Sequence, residues 1–547
     1  MSNIAASLVR VARDSPDGVA LVCKKGRGWQ RWTFSEVETN AACFANFLSG
    51  QGVGQGDRVM LMVRPSMEFI CLTFALFAIG AVVILIDPGM GYRNLLSCIG
   101  SVKPSILVGI PKAQLFSRLF RQPFRTVRRH ICVGSGLGLL GKELPPPDQR
   151  LRELSIAPTR PDDLAAIIFT TGSTGAPKGV RYEHRIFQAQ LQQIRDYYRI
   201  GQGDVDQPAF PLFALFSIAL GAKAVIPDMD PTRPAQVNPQ KFTQSINDFQ
   251  VTYSFGSPAI WNVISRYCQD AGLRLGSLKK VLMAGAPVSG ELIERLHSIL
   301  PIDAEIHIPY GATESLPIVS ISGREVLAET WELTRQGRGA CVGRPLPGIE
   351  VRVIPVCEGP IAAFPPPGGD AQEDKKRWLP AYEVGEIIVR GPVVTAAYDN
   401  NEAENRLAKI RDGEGFWHRI GDLGYIDEAG RLWFCGRKAH RVTTASGTLY
   451  TICCEAVFNT HPLVYRSALV GVGEPERMRP VLIVEPMTEV SDPEKLFAEL
   501  RQMALGHEHT VGILDFLIHE AFPVDIRHNA KIFREKLALW ATERLRR

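Results

Sequence analysis

At 547 residues the chain is longer than one hydrophobic core usually serves, so at least two packed units are expected. Its 45% hydrophobic and 22% charged residues exclude a disordered, collagenous or small disulfide-rich protein. A formal net charge of +5 is too dilute over this length to imply nucleic acid, which needs a clustered basic face.

The first eighteen residues carry Ile4, Leu8 and Val11 at helical spacing, with no continuous apolar core and no small-residue cleavage site. They are expected to belong to the fold. Ser35 followed by Glu38, ahead of Val37, Ala41 and Phe44, predicts a capping box that opens a helix. A strand is expected over 58–63. Residues 69–86 are nearly continuous apolar, about the length at which a membrane helix becomes a candidate. Gly80 divides them into a helix-like half (Phe69, Leu72, Leu76, Phe77) and a β-branched run over 82–86 closed by Asp87-Pro88. A buried helix followed by a buried parallel strand is therefore expected, with no transmembrane segment.

Arg118, Arg121, Arg125, Arg128 and Arg129 interleave with Phe120 and Phe124, a cluster that reads as solvated surface or as contact with a partner or anionic membrane. Gly136-x-Gly138-x-x-Gly141 matches the dinucleotide fingerprint in form. The prolines at 145–147 and the lack of a βαβ unit before residue 160 argue against it. Further strands are expected over 164–169, 222–226 and 280–283, each followed by a turn and an amphipathic stretch. This alternation implies an α/β fold with layered, mostly parallel sheets.

The strongest chemical signal follows the 164–169 strand. Thr170-Thr171-Gly172-Ser173-Thr174-Gly175-Ala176-Pro177-Lys178-Gly179 combines glycines that let backbone N–H groups close on phosphate oxygens, hydroxyl donors, and a lysine. It is not a Walker A loop, since Pro177 stands where the second glycine would be. Tyr310-Gly311-Ala312-Thr313-Glu314 offers an aromatic face, a hydroxyl, and a carboxylate able to hold Mg²⁺. Residues 357–376, rich in proline and glycine, read as a surface loop. Gly421-Asp422 is expected to precede a strand and to accept from ribose hydroxyls.

From Trp433 onward, strands over 467–472 and 480–485 and a helix over 493–503 predict a small α+β unit. The boundary falls at Gly436-Arg437, giving units of 1–436 and 437–547. Asn529-Ala530-Lys531-Ile532 lies near the C-terminus. The cysteines, eleven in number and without a C-x-x-C, fit neither zinc nor thioredoxin spacing, so reduced thiols in the cytoplasm are expected.

In order and spacing these motifs resemble the adenylate-forming superfamily of acyl-CoA synthetases, luciferases and peptide-synthetase adenylation domains, over essentially the whole chain. The resemblance implies ATP and Mg²⁺ as cofactors and a large N-terminal domain with a small mobile C-terminal one. It implies that Thr171, Gly172, Ser173, Thr174, Gly175 and Lys178 hold the ATP phosphates. Gly285, Ala286 and Pro287 would frame the adenine with Tyr310 and Gly311. Thr313 and Glu314 would serve the α-phosphate and Mg²⁺, with Thr174 as a further metal ligand. Asp422 and Arg437 would hold the ribose, and Lys531 would meet charge developing during adenylation.

A narrower likeness rests on FPLFALF (210–216), IPDMDPTRPAQ (226–236), FGSPA (255–259), YGATE (310–314), LWFCGRK (432–438), LYT (449–451) and the segment 522–538. These resemble the β-lactone synthetases of bacterial long-chain olefin biosynthesis. The implied substrate is a long-chain 2-alkyl-3-hydroxy acid, with other olefin-pathway enzymes as candidate partners and no nucleic acid. The chain departs from many acyl-CoA synthetases in reading Ala214 after Pro211-Leu212-Phe213 where they carry histidine. It also has Ala439 after the hinge and Ala530 in the lysine motif. An acyl-CoA synthetase or acyl-AMP ligase is the alternative, and Phe210, Phe213, Leu215, Phe216 and Phe255 are candidates for the wall of an acyl pocket.

Overall fold

The computed structural model describes residues 3–136, 138–146, 153–170, 175–364, 377–524 and 531–546. Two large sheets dominate it. One has seven strands in the spatial order Lys142–Glu143, Arg129–Cys132, Ile106–Gly109, Arg58–Met62, Val82–Leu85, Leu164–Phe169, Gly179–Glu183, parallel except for the last hairpin. The other has fifteen. Its Val19–Lys25, Lys223–Val225, Val205–Asp206, Tyr253–Gly256, Lys280–Met283 and Glu305–Ala312 strands run parallel, and its later strands pair antiparallel except for Ala363–Phe364 with Lys409–Asp412. Parallel strands need helical crossovers, and the expected alternation of strand and amphipathic stretch supplies them up to about residue 310.

The apolar run at 69–86 resolves into the helix Met67–Ile79, capped by Gly80 in the left-handed region, and the strand Val82–Leu85. Eleven of the thirteen helical residues are buried. Phe74 and Phe77 meet a core shared with the helices Phe34–Gly50 and His184–Asp196 and with strands of both sheets. A helix that is apolar all round is thus a central helix of a layered core. Among the described residues no helix is long and apolar enough to cross a membrane.

The capping box differs from expectation by two residues. Thr33 Oγ1 accepts the Glu36 N–H at 3.1 Å and Glu36 Oε2 accepts the Thr33 N–H at 2.7 Å. Ser35 is already helical, and Glu38 is buried, accepting from Leu154 N–H. The segment with Gly136, Gly138 and Gly141 is no dinucleotide site, because Glu143 Oε1 accepts from the N–H groups of Gly136 and Gly138 and, among the described residues, the elements that follow are the strands Lys142–Glu143 and Leu164–Phe169.

After the Leu432–Arg437 strand, which still belongs to the fifteen-stranded sheet, the chain enters a three-stranded sheet of Val464–Val472, Arg479–Pro486 and Asp515–Ile518. Alternate side chains face opposite ways. Leu469, Leu482 and Val484 pack with Phe458, Leu496 and Leu500, whereas Val470, Val481 and Ile483 pack with Leu537 and Ala541 of the last helix. The eleven cysteines, all described, form no disulfide.

Candidate functional site

The motif residues gather at the C-terminal edge of the parallel strands, where crossovers leave open loops. The Leu164–Phe169 strand and the Gly179–Glu183 strand form a hairpin around the glycine-rich loop. It is closed by Thr170 N–H to Lys178 O at 3.0 Å and by Lys178 N–H to Thr170 Oγ1 at 3.0 Å. Thr171, Gly172, Ser173 and Thr174 lie outside the described residues; Gly175 is exposed. Lys178 Nζ lies 2.7 Å from Glu404 Oε2 and 5.0 Å from the Tyr398 ring centre.

Tyr398 carries the loop to the second motif, since its hydroxyl donates to Glu314 Oε1 at 2.8 Å. Burial first, and then the facing Glu314, raises the Tyr398 phenol above its ordinary range, so it stays protonated and donating. Thr313 and Glu314 form the turn between the strands Glu305–Ala312 and Ser315–Ser322. Gly311 is required before that turn: a Cβ there would meet Ser315 O at 2.4 Å. Tyr182 Oη donates to Thr313 O, and Thr395 donates to Glu314 O through both N–H at 2.9 Å and Oγ1 at 3.1 Å. Lys409 Nζ donates in turn to Thr395 O. Burial pushes the Lys409 ammonium down to about 7, against the opposing pull of Glu314 and Glu183.

Tyr310 Oη donates to Asp422 Oδ2 at 2.6 Å. Asp422 does not precede a strand as expected but sits within Gly415–Ile426, directly opposite Arg437 on Leu432–Arg437. Gly421, with a positive φ of 78°, and a register shift after Leu423 bend the strand there, which a sequence reads as a strand start. Arg437 Nη1 lies 3.0 Å from Asp422 Oδ1. It approaches off the hydrogen-bonding direction, so this buried oxygen accepts no hydrogen bond. Burial raises the Asp422 carboxyl above its usual range, opposed by Arg437, Tyr310 and Lys531. The charge of Lys531, carried on the far C-terminal segment, therefore reaches this carboxylate. Asn529 and Ala530 lie outside the described residues.

Gly285, Ala286 and Pro287 follow the Lys280–Met283 strand. Because Leu282 pairs with His307, they stand at the level of Tyr310 on the neighbouring strand. Gly285 has a φ of 97°, a conformation that suits glycine.

Beneath this edge is an apolar cavity of about 60 Å³ lined by Phe213, Phe216, Phe255, Tyr253, Leu282 and Leu316 among others. Phe213 and Phe255 stack with centres 4.1 Å apart. Two expected wall residues are not there: Leu215 is core, and Phe210 is 43% exposed, because the short helix Ala214–Ala219 turns Leu215 away from the cavity. Ala214 is fully buried. A larger open trough, about 1030 Å³, runs from Cys23 and Trp32 to Val133 and Pro146. Its lining contains none of the motif residues, whereas Pro309, Leu316 and Pro317 in the lining of the small cavity flank the Tyr310–Glu314 segment in sequence.

Among the described residues no group of three or more His, Cys, Asp or Glu could hold a metal ion. Glu314 alone, half-exposed, suits Mg²⁺, which takes one or two carboxylates and otherwise phosphate and water oxygens. Sequence reasoning missed Tyr398, Glu404, Thr395 and Lys409. They come from a segment without a motif, and only the fold brings them to Glu314.

The family model described as "AMP-binding enzyme" matches residues 8–399. The chain is 45% identical to an olefin beta-lactone synthetase of Xanthomonas campestris pv. campestris, over 99% of this chain and 98% of that one. It is 43% identical to one of Stenotrophomonas maltophilia over the same shares. A long-chain-fatty-acid–CoA ligase of Thermus thermophilus is 26% identical, covering 85% of this chain and 83% of its own. The amide bond synthetase McbA of Marinactinospora thermotolerans shares the fold with a TM-score of 0.79 at 22% identity, covering 98% of this chain and 100% of its own.

Proposed function

Because the chain belongs to the AMP-binding enzyme family and to its branch of olefin β-lactone synthetases, we propose that it activates a long-chain 2-alkyl-3-hydroxy acid with ATP and closes it to a β-lactone. The observation that carries this reading is identity of 45% and 43% along essentially whole chains, against 26% for a CoA-dependent relative. Ala214 is consistent with it, since the position after Pro211-Leu212-Phe213 is histidine in many acyl-CoA synthetases and alanine here.

In the first step a carboxylate oxygen attacks the α-phosphorus of ATP and pyrophosphate leaves. Two anions must approach, so fixed cations and donors have to meet the charge. Lys178 and the glycine-rich loop hold the outgoing phosphates, with Lys178 exchanging Glu404 for them. A bound Mg²⁺ would supply charge neutralisation at the phosphates. Glu314, held by Tyr398 and by its backbone contacts to Thr395, would hold the ion, with Thr174 as a second ligand. Asp422 Oδ1, without a hydrogen bond, accepts from a ribose hydroxyl while Arg437 fixes its orientation. Tyr310 and residues 285–287 flank the base. Lys531 approaches on the 437–547 unit, which acts as a lid.

In the second step the 3-hydroxyl oxygen attacks the acyl carbon, the bond to the phosphate oxygen breaks, AMP departs and the hydroxyl proton is released. The nucleophile is tethered, so no second substrate has to be bound. The protein holds the rotamer and excludes water, for which the Phe213–Phe255 wall is suited. A cytoplasmic location and association with other olefin-pathway enzymes accompany this reading.

The test is product analysis with a matched pair of acids. The 3-hydroxy acid should turn over, and the 3-deoxy analogue should give pyrophosphate in a single turnover and stall as acyl-AMP. Release of free acid and AMP at equal rates from both would overturn the ring-closing step.

A further inference from the structure

Residues 88–142, between Asp87 and Glu143, contain nine lysines and arginines and no aspartate or glutamate. The whole chain carries +5, so the remaining residues together carry −4 and the positive charge is concentrated in this one segment. It folds as part of the seven-stranded sheet, with the helices Tyr92–Val102 and Pro111–Leu119 following the strands Val82–Leu85 and Ile106–Gly109, which lie on either side of Arg58–Met62. Among the described residues none of the nine pairs with a carboxylate. Arg118 instead donates to Leu139 O, and Arg121 Nε to Arg118 O at 3.4 Å.

Large apolar side chains stand outward among these cations. Tyr92 is 73% exposed, Leu115 55%, Leu119 76% and Leu139 72%. They form one surface. The Tyr92 ring lies 6.0 Å from that of Phe116 on the Pro111–Leu119 helix, Leu115 and Leu119 are one helical turn apart, and Arg118 reaches Leu139. The same sheet edge that launches the Tyr92 helix launches the glycine-rich loop, since Leu85 pairs with Ile168 in parallel.

We propose that this face docks the enzyme on an anionic lipid bilayer. Cations in the headgroup layer with leucine and tyrosine just below it satisfy both halves of the surface. Long arginine stems can lie along the apolar side chains while their guanidiniums reach the phosphates. A nucleic acid would use the charge alone and leave the leucines in water. Docking is independent of which acid is activated.

The test is co-sedimentation of the full chain with phosphatidylcholine vesicles and with vesicles containing about one-third phosphatidylglycerol. Binding is expected only to the anionic vesicles at roughly 50 mM salt, and release at roughly 500 mM as screening shortens the Debye length. At roughly five-fold per basic side chain near such a surface, Arg118→Glu with Arg121→Glu should weaken partition about 25-fold or more. Leu115→Glu with Leu119→Glu should also abolish vesicle binding, and Tyr92→Ser should weaken it. ATP–pyrophosphate exchange with a water-soluble short acid reports folding of each variant. No binding to anionic vesicles at low salt, or binding unchanged in the variants, would overturn the proposal. Retention on heparin with vesicle binding insensitive to the leucine changes would assign the face to an acidic macromolecule instead, which also overturns it.

Discussion

Tyr398→Phe tests the link that joins the glycine-rich loop to Glu314. The change removes the 2.8 Å hydrogen bond to Glu314 Oε1 and keeps the ring under Lys178. Tyr398 is buried and its phenol stays protonated, so the donor is present at every working pH. A hydrogen bond to a charged group contributes about 1.5–3 kcal/mol. If that energy holds Glu314 in its metal-binding rotamer, use of Mg·ATP should weaken by roughly 10-fold to 100-fold, at about 1.4 kcal/mol per decade. The assay is ATP–pyrophosphate exchange against Mg²⁺ concentration for wild type, Tyr398→Phe, Glu314→Gln and the double variant. Glu314→Gln alone should weaken Mg·ATP use more than acid binding. The double variant should be little worse than Glu314→Gln, because the two changes disable one device. Unchanged Mg²⁺ dependence in Tyr398→Phe, or strictly additive effects, would refute the reasoning.

Lys531→Ala should lower acyl-AMP formation by roughly a hundredfold or more, the scale for losing one preorganised donor; pyrophosphate release at the wild-type rate would remove it from the mechanism. Glu404→Gln frees Lys178 from an exposed ion pair worth at most about 1 kcal/mol, so KM for ATP should fall, by up to about five-fold, and a rise would contradict the exchange. Asp206 is fully buried, with Oδ2 accepting from Ser217 and Oδ1 unbonded, and burial raises its carboxyl to about 8. The unfolded chain then binds fewer protons than the folded one between the ordinary carboxylate range and about pH 8, so its contribution to stability is full at low pH and is lost as pH rises through that window. Asp206→Asn should flatten the loss of stability between pH 5 and about 8 in urea titrations; parallel slopes would be contrary to this.

Legibility in the sequence followed the range of the forces involved. Strands such as Leu164–Phe169 and Lys280–Met283 agree to the residue with expectation, because short apolar runs bounded by turn residues suffice to define them. The helix Met67–Ile79 was legible once Gly80 was read as its cap. The capping box was displaced because two overlapping S/T-x-x-E patterns compete, and only burial of Glu38 decides for Thr33. Tyr310, Asp422 and Arg437 were readable as motif residues, but the Tyr310–Asp422 contact joins strands more than a hundred residues apart, and the Asp422–Arg437 pair depends on the register of two adjacent strands. Tyr398 and Lys409 were invisible for the same reason. Nothing near them in sequence marks them, and their roles come from what the fold places opposite.

The most direct measurement is incubation of the purified protein with ATP, Mg²⁺ and a 2-alkyl-3-hydroxy acid, with and without CoA, followed by identification of every acyl product. The account predicts β-lactone, AMP and pyrophosphate in equal amounts whether or not CoA is present. Efficient acyl-CoA formation from simple fatty acids, with no lactone from the 3-hydroxy acid, would contradict it.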